Sequence, residues 1–135
     1  MGLKVLLVDD EEAIRELLLA VLEREDYEVQ TCSCAADAKI AVERETFDIV
    51  VTDMRMETPT AGFEVVRAVK ASNVRTVVAL LTAMPIPPGD WKMAGADALF
   101  VKGESVLRLP QVLSELLLAR PVRVANLYAG ERDVL

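Results

Sequence analysis

Leu3-Lys4-Val5-Leu6-Leu7-Val8-Asp9-Asp10, residues 3–10, is an almost unbroken apolar run that ends on two carboxylates. Continuous apolarity, rather than strict alternation, marks a strand covered on both faces, as in a parallel sheet. The pattern repeats along the chain. Asp48–Thr52 leads into Asp53, Val77–Leu81 into Thr82, and Ala98–Val101 into Lys102, with Glu28–Cys32 as a further strand-like run. In open α/β sheets the ligand crevice lies outside the carboxyl ends of the strands. Asp9, Asp10, Asp53, Thr82 and Lys102 are therefore expected to converge there, although the chain separates them widely.

The segments between these runs carry helical periodicity. Ile14, Leu17, Leu18, Val21 and Leu22 recur at helical spacing opposite Glu16, Glu23, Arg24 and Glu25. Ala35–Glu45 is Ala-rich, with Ala38, Ala41 and Val42 as its inward face, and Gly62–Ala71 carries Phe63, Val66 and Val69 on one stripe. Strands alternating with helices imply βαβ units, a parallel sheet, and right-handed crossovers with helices on both faces. The fourth helix is expected to be short. Met84-Pro85-Ile86-Pro87-Pro88-Gly89 resists helix formation, which leaves about Asp90–Ala94. A fifth helix is expected over Pro110–Ala119, with Leu113, Leu116 and Leu117 inward and Pro121 stopping it. Residues 1–120 thus read as one domain, and 121–135 as a tail, either an arm or a truncated linker.

Composition narrows the function. The 135 residues suffice for one proper core, and 53% hydrophobic with 4% aromatic content makes that core aliphatic. A net charge of −7 argues against nucleic-acid or anionic-membrane partners. The apolar stretches fall short of a membrane span and the first residues lack a signal-peptide pattern, so a cytoplasmic location is expected. The chain contains no histidine, which removes His-dependent nucleophile activation and His-ligated metals. Cys32 and Cys34 then read as small residues ending the second strand, with a four-cysteine site shared across a dimer as the alternative.

Asp9, Asp10 and Asp53 form an oxygen donor set suited to Mg²⁺, which takes one or two carboxylates and keeps waters. Three close carboxylates repel one another without a cation, and at least one pKa should rise. A carboxylate can also attack phosphorus to form an aspartyl phosphate. Phosphoryl transfer needs positioning and neutralisation of the equatorial oxygens, which the Lys102 ammonium, the Thr82 hydroxyl and the backbone N–H groups of Ala83 and Met54 can supply. Each residue alone has an ordinary explanation, since Asp after a strand often caps a helix. Their joint placement at successive strand ends favours the chemical reading.

On these residues the chain resembles the receiver domains of two-component response regulators. The similar stretches are Val5-Leu6-Leu7-Val8-Asp9-Asp10-Glu11, Asp48-Ile49-Val50-Val51-Thr52-Asp53-Met54-Arg55-Met56, Leu80-Leu81-Thr82-Ala83 and Ala94-Gly95-Ala96-Asp97-Ala98-Leu99-Phe100-Val101-Lys102. The resemblance covers about residues 3–119 and implies a flavodoxin-like, doubly wound sheet of five parallel strands in the order 2-1-3-4-5. It further implies Asp53 as phosphoacceptor, and Asp9, Asp10, Asp53 and the Arg55 backbone carbonyl as Mg²⁺ ligands. Thr82 is then the switch hydroxyl and Lys102 the phosphate-pairing cation, with a histidine kinase or phosphotransfer protein as donor.

Several positions depart from the family pattern. Gly103 follows Lys102 where proline is usual, which predicts a differently running loop and a less firmly aimed lysine. Leu99 occupies the position of the usual Tyr or Phe, and Phe100, one residue on, should face the other side of the strand. Glu57 stands where proline is usual, and Gly62 arrives about one residue late. The output surface is therefore expected to be unusual, with Leu99, Phe100, Trp91, the Pro85–Pro88 loop and the tail as candidates. Arg55 and Met84, two positions after Asp53 and Thr82, are expected to govern water access and the lifetime of the phosphoryl group.

The expected function is a phosphorylation-dependent switch in a histidine–aspartate phosphorelay, not an enzyme beyond self-phosphorylation and slow autodephosphorylation. Its readout falls to a protein effector, and the apolar tail leaves a homodimer open. The alternative is a receiver-like interaction module that is not phosphorylated. A Mg²⁺-dependent phosphohydrolase ranks last, because Arg55 stands where such enzymes carry a second Asp.

Overall fold

The computed structural model describes residues 2–119, so the expected tail lies outside the described residues. Five parallel strands form one sheet in the order β2-β1-β3-β4-β5. These are β1 Lys4–Val8, β2 Glu28–Cys32, β3 Ile49–Asp53, β4 Val77–Thr82 and β5 Ala98–Val101. The register runs Val8 beside Thr52 and Asp53 beside Leu81, with Thr82 beside Val101. The last residues of β1, β3, β4 and β5 therefore end side by side. β1, β3 and β4 are central and bury their apolar runs, whereas β2 is an edge strand with exposed Glu28 and Gln30.

Helices cover both faces. α1 Glu12–Glu23 and α5 Leu109–Ala119 pack on one face, and α2 Ala35–Arg44, α3 Ala61–Ser72 and α4 Pro88–Ala94 on the other. Alternation along β1 splits the core into two layers. Leu6 and Val8 meet Ala38, Val42, Val65 and Val66, while Val5 and Leu7 meet Leu18, Leu22, Leu109 and Leu113. After β5 the chain makes a 3₁₀ turn, Glu104–Arg108, before α5. α5 then runs back antiparallel to the strands, so Ala119 and the start of β1 both lie toward the edge opposite the carboxyl ends.

Several expectations about the helices change. α4 begins at Pro88 rather than about Asp90, because proline fits the first helical position, where its missing N–H costs nothing. It ends on Gly95 at φ 105°, a left-handed conformation that suits glycine. α5 begins at Leu109, one residue earlier than Pro110, and Leu109 itself is buried. Leu17 is 52% exposed instead of inward, since Leu18 and Leu22 take the sheet-facing stripe. In α3, Val65 joins Val66 and Val69 in the core, and Phe63 is only partly buried. Leu116 and Leu117 are likewise half-buried beside a fully buried Leu113.

Candidate functional site

The five strand-end residues meet in one crevice. Asp9 sits at the end of β1 and is fully buried, Asp10 follows it and is exposed, and Asp53 and Thr82 are buried at the ends of β3 and β4. Carboxylate oxygens of Asp9, Asp10 and Asp53 lie within 4.8 Å of one another. The Lys102 ammonium reaches across from beyond β5, 3.2 Å from Asp53 Oδ1 and 3.3 Å from Asp9 Oδ2. The space between them measures about 330 Å³ and is also lined by Glu11, Met54, Arg55, Met56 and Ala83. A slightly larger cavity of about 370 Å³ lies toward the other end of the sheet, around Glu45, Phe47 and Thr76, and assembles no comparable charge set.

The loop after Lys102 does run differently from the expected pattern, yet the lysine is well aimed. No peptide bond among the described residues is cis, and Gly103 adopts φ 108°, a conformation proline cannot take. The Lys102 N–H donates to the Thr82 carbonyl at 2.7 Å, which ties the turn to the neighbouring strand. Glycine thus turns the chain freely while that backbone bond fixes the side chain's origin.

Electrostatics mark the crevice as strained without a cation. Burial, together with the Asp9 carboxylate, pushes the Asp53 carboxyl up to about 6, against the opposing pull of Lys102 and the Met54 N–H. Asp9 is also raised, chiefly by burial. Burial disfavours the charge on Lys102, but the carboxylates of Asp53 and Asp9 hold its pKa above the usual lysine value. Asp9 Oδ1 accepts the Glu11 N–H at 2.9 Å, whereas the buried Asp9 Oδ2 takes part in no hydrogen bond and has only the ion-pair approach of Lys102. An orphaned buried carboxylate oxygen beside two further carboxylates fits a hard divalent cation such as Mg²⁺.

Two of the groups expected to meet a phosphoryl oxygen, Thr82 and the Met54 N–H, already have partners. Thr82 Oγ1 donates to the Met84 carbonyl at 2.7 Å and accepts the Met84 N–H at 3.2 Å. The Met54 N–H donates to the Leu81 carbonyl at 2.8 Å and to Asp53 Oδ1 at 2.9 Å. Ala83 lies exposed at the mouth, and so does Arg55. Met84 is 71% exposed.

The output candidates divide. Phe100 is buried among Val106, Leu109 and Leu113 on the α1–α5 side, so it cannot present a surface. Side-chain alternation puts Leu99 on the opposite face, half-buried in the layer that also contains Trp91 and Ile86.

Three contributors were not anticipated. Glu11 Oε1 approaches Lys102 Nζ at 3.4 Å, and Arg15 donates to the Asp9 carbonyl at 2.8 Å. Glu57 accepts the Ala35 and Ala36 N–H groups at 2.9 and 3.1 Å. Burial works against the Glu57 carboxylate, but these N–H groups, Ala35 foremost, hold its pKa below the usual value. The acidic run Asp9–Glu12 hinted at Glu11; no local signal pointed to the other two.

The family described as the response regulator receiver domain matches residues 5–113. The chain is 36% identical over 80 residues to the response regulator protein PilR of Pseudomonas aeruginosa, covering 59% of this chain and 18% of that one. Across the first three curated relatives the chain spans only 14–34% of their length. Among solved structures it is similar to the chemotaxis response regulator CheY4 of Vibrio cholerae, at 30% identity and a TM-score of 0.78, covering 87% of this chain and all of that one. TrrA of Thermotoga maritima, solved in complex with Mg²⁺ and BeF, is 30% identical at a TM-score of 0.76, with 87% of this chain and 100% of that chain covered.

Proposed function

Because this chain belongs to the response regulator receiver family, we propose that it is a phosphorylation-dependent signalling switch that accepts its phosphoryl group on Asp53. One observation carries the reading: three carboxylates within 4.8 Å of one another, with an ammonium 3.2 Å from the proposed acceptor. Asp9, Asp10, Asp53 and the Arg55 carbonyl would hold Mg²⁺, whose charge, when bound, screens the carboxylates and the incoming phosphoryl oxygens.

The chain's own residues do the rest. An Asp53 carboxylate oxygen forms a bond to phosphorus as the phosphohistidine N–P bond of a kinase or phosphotransfer protein breaks. Lys102 neutralises charge on the transferred group. Thr82 exchanges its bond to the Met84 carbonyl for one to a phosphoryl oxygen, and that exchange biases the β4–α4 loop between two arrangements. The Ala83 N–H, at the mouth, and the Met54 N–H, as its bond to the Leu81 carbonyl yields, contribute further donors. Arg55 lines the mouth and exposed Met84 stands two positions after Thr82, and a long cation with a flexible apolar side chain near the opening would slow attacking water, giving a phosphoryl lifetime beyond seconds.

Readout belongs to a protein effector that contacts the α4 side around Leu99, Trp91 and Pro85–Pro88, where Met84 and Met93 are exposed. The receiver body is taken to end near residue 120, with 121–135 as an arm or linker able to support a homodimer. A cytoplasmic location accords with the phosphorelay; among the described residues no helix is long and apolar enough to cross a membrane.

Incubation with Mg²⁺ and acetyl phosphate or beryllofluoride tests this reading. Mass spectrometry and Trp91 fluorescence should report a single adduct on Asp53 that Asp53→Asn abolishes. Complete absence of an adduct would leave an unphosphorylated interaction module, and sustained turnover of acetyl phosphate would indicate a hydrolase.

A further inference from the structure

Glu57 sits in the loop that follows β3, on the same strand-to-helix connection as Arg55. Its two carboxylate oxygens accept the N–H groups of Ala35 and Ala36, 22 and 21 residues away, at 2.9 and 3.1 Å. These donors are the first-turn N–H groups of α2, which have no partner within their own helix. The local cap offers little, because Cys34 presents only a sulfur atom, 3.4 Å from the Asp37 N–H. α2 is thus capped from a distance, by the loop that continues from the phosphoacceptor.

The same loop is held at its other end. The Met54 N–H bonds to the Leu81 carbonyl at 2.8 Å, and the Met54 carbonyl accepts the Gly62 N–H at 2.8 Å. Between these fixed points stand Arg55 and Met56. A residue spans at most about 3.6 Å of chain, so the Arg55 carbonyl is separated from the Glu57 clamp by only a short reach. A carbonyl held on both sides is preorganised to face a cation. Released on one side, it must lose conformational freedom when the cation binds.

We propose that Glu57 is a positioning residue: by clamping the loop to the α2 amino terminus it presents the Arg55 carbonyl to the cation and so sets Mg²⁺ affinity. The proposal rests on the receiver reading above, and it explains why a carboxylate functions where the family usually has proline. Proline stiffens such a loop from within, whereas Glu57 stiffens it from outside. The arrangement also makes α2 and the crevice interdependent, since cation binding and helix capping draw on the same loop geometry.

The test measures Mg²⁺ binding by calorimetry, thermal stability, and the Mg²⁺ dependence of acetyl phosphate labelling, in the full chain. Loss of groups that orient metal ligands typically weakens binding by 10–100-fold. Glu57→Ala is expected to weaken Mg²⁺ binding about tenfold, while the labelling rate at saturating Mg²⁺ stays within about twofold. Glu57→Gln, which retains one amide oxygen, should fall between. A second variant separates helix capping from positioning: Cys34→Ser in the Glu57→Ala background supplies a better local cap. It should restore melting temperature and leave Mg²⁺ affinity weak. Recovery of Mg²⁺ affinity along with stability, or unchanged affinity in Glu57→Ala, would overturn the proposal and leave Glu57 as a cap alone. Failure of the unmutated chain to bind Mg²⁺ would overturn both this proposal and the receiver reading, whereas normal binding without labelling would count against the receiver reading only.

Discussion

Asp53 combines burial with a like-charged neighbour, and its pH behaviour follows from both. Its carboxyl moves from an ordinary 3.8 to about 6 on folding without a cation. The folded state therefore binds the proton more tightly, and the stabilisation is complete below the unfolded pKa and lost as pH rises through about 6. In chelator, Asp53→Asn should exceed the parent chain in unfolding free energy at pH 7.5 by about 1–3 kcal/mol. That gap should narrow to about half at pH 5 and close only below the unfolded value of 3.8. Urea melts at the two pH values check this, and a gap of unchanged size at pH 5 would show that the buried, like-charged Asp53 carboxylate is not its source. Asp9, raised in the same direction, adds to the parent's pH slope but is common to both proteins.

At the level of elements, Gly62 is what lets α3 approach β3. A Cβ there would lie 2.6 Å from the Asp53 carbonyl oxygen and 2.7 Å from the Met54 Cα, both backbone atoms that cannot turn aside. Gly62→Ala should cost about 1–3 kcal/mol of stability and weaken acetyl phosphate labelling, because the same shift displaces Asp53, the proposed acceptor. Circular dichroism melts and labelling rates, measured together, check it; a stable variant with normal labelling would contradict the tight packing. The glycine was visible in the chain, but its partner was not. That difference recurs through the structure. Strand ends could be read because an apolar run and its polar terminus are neighbours in sequence, so Asp9, Asp53, Thr82 and Lys102 declared themselves. The Glu57 contact to α2 and the Arg15 contact to the Asp9 carbonyl join loops and helices in space without periodicity to announce them. Leu17 was misplaced for another reason: an apolar stripe wider than the buried one leaves the helix's rotation undetermined until it meets the sheet. Pro88, read as a barrier, is instead a starter, since its effect depends on which turn it occupies.

For the molecule as a whole, cation binding and folding are linked. The three carboxylates come together only in the native sheet, so a cation they hold should favour the folded state over the unfolded chain. At a Mg²⁺ concentration a hundred times its Kd, the folded state should gain about 2.7 kcal/mol. For a domain of this size that is a rise of several degrees in melting temperature, and scanning calorimetry against Mg²⁺ concentration measures it. The gain should shrink at pH 5, where protons compete for Asp53, and a melting temperature indifferent to the ion at pH 7.5 would argue against a cation site. Geometry has a practical corollary as well. β1 starts and α5 finishes on the side of the sheet away from the acidic mouth. A fluorophore, biotin handle or surface tether attached near either place leaves the opening clear, so immobilised protein should exchange phosphodonor as freely as protein in solution.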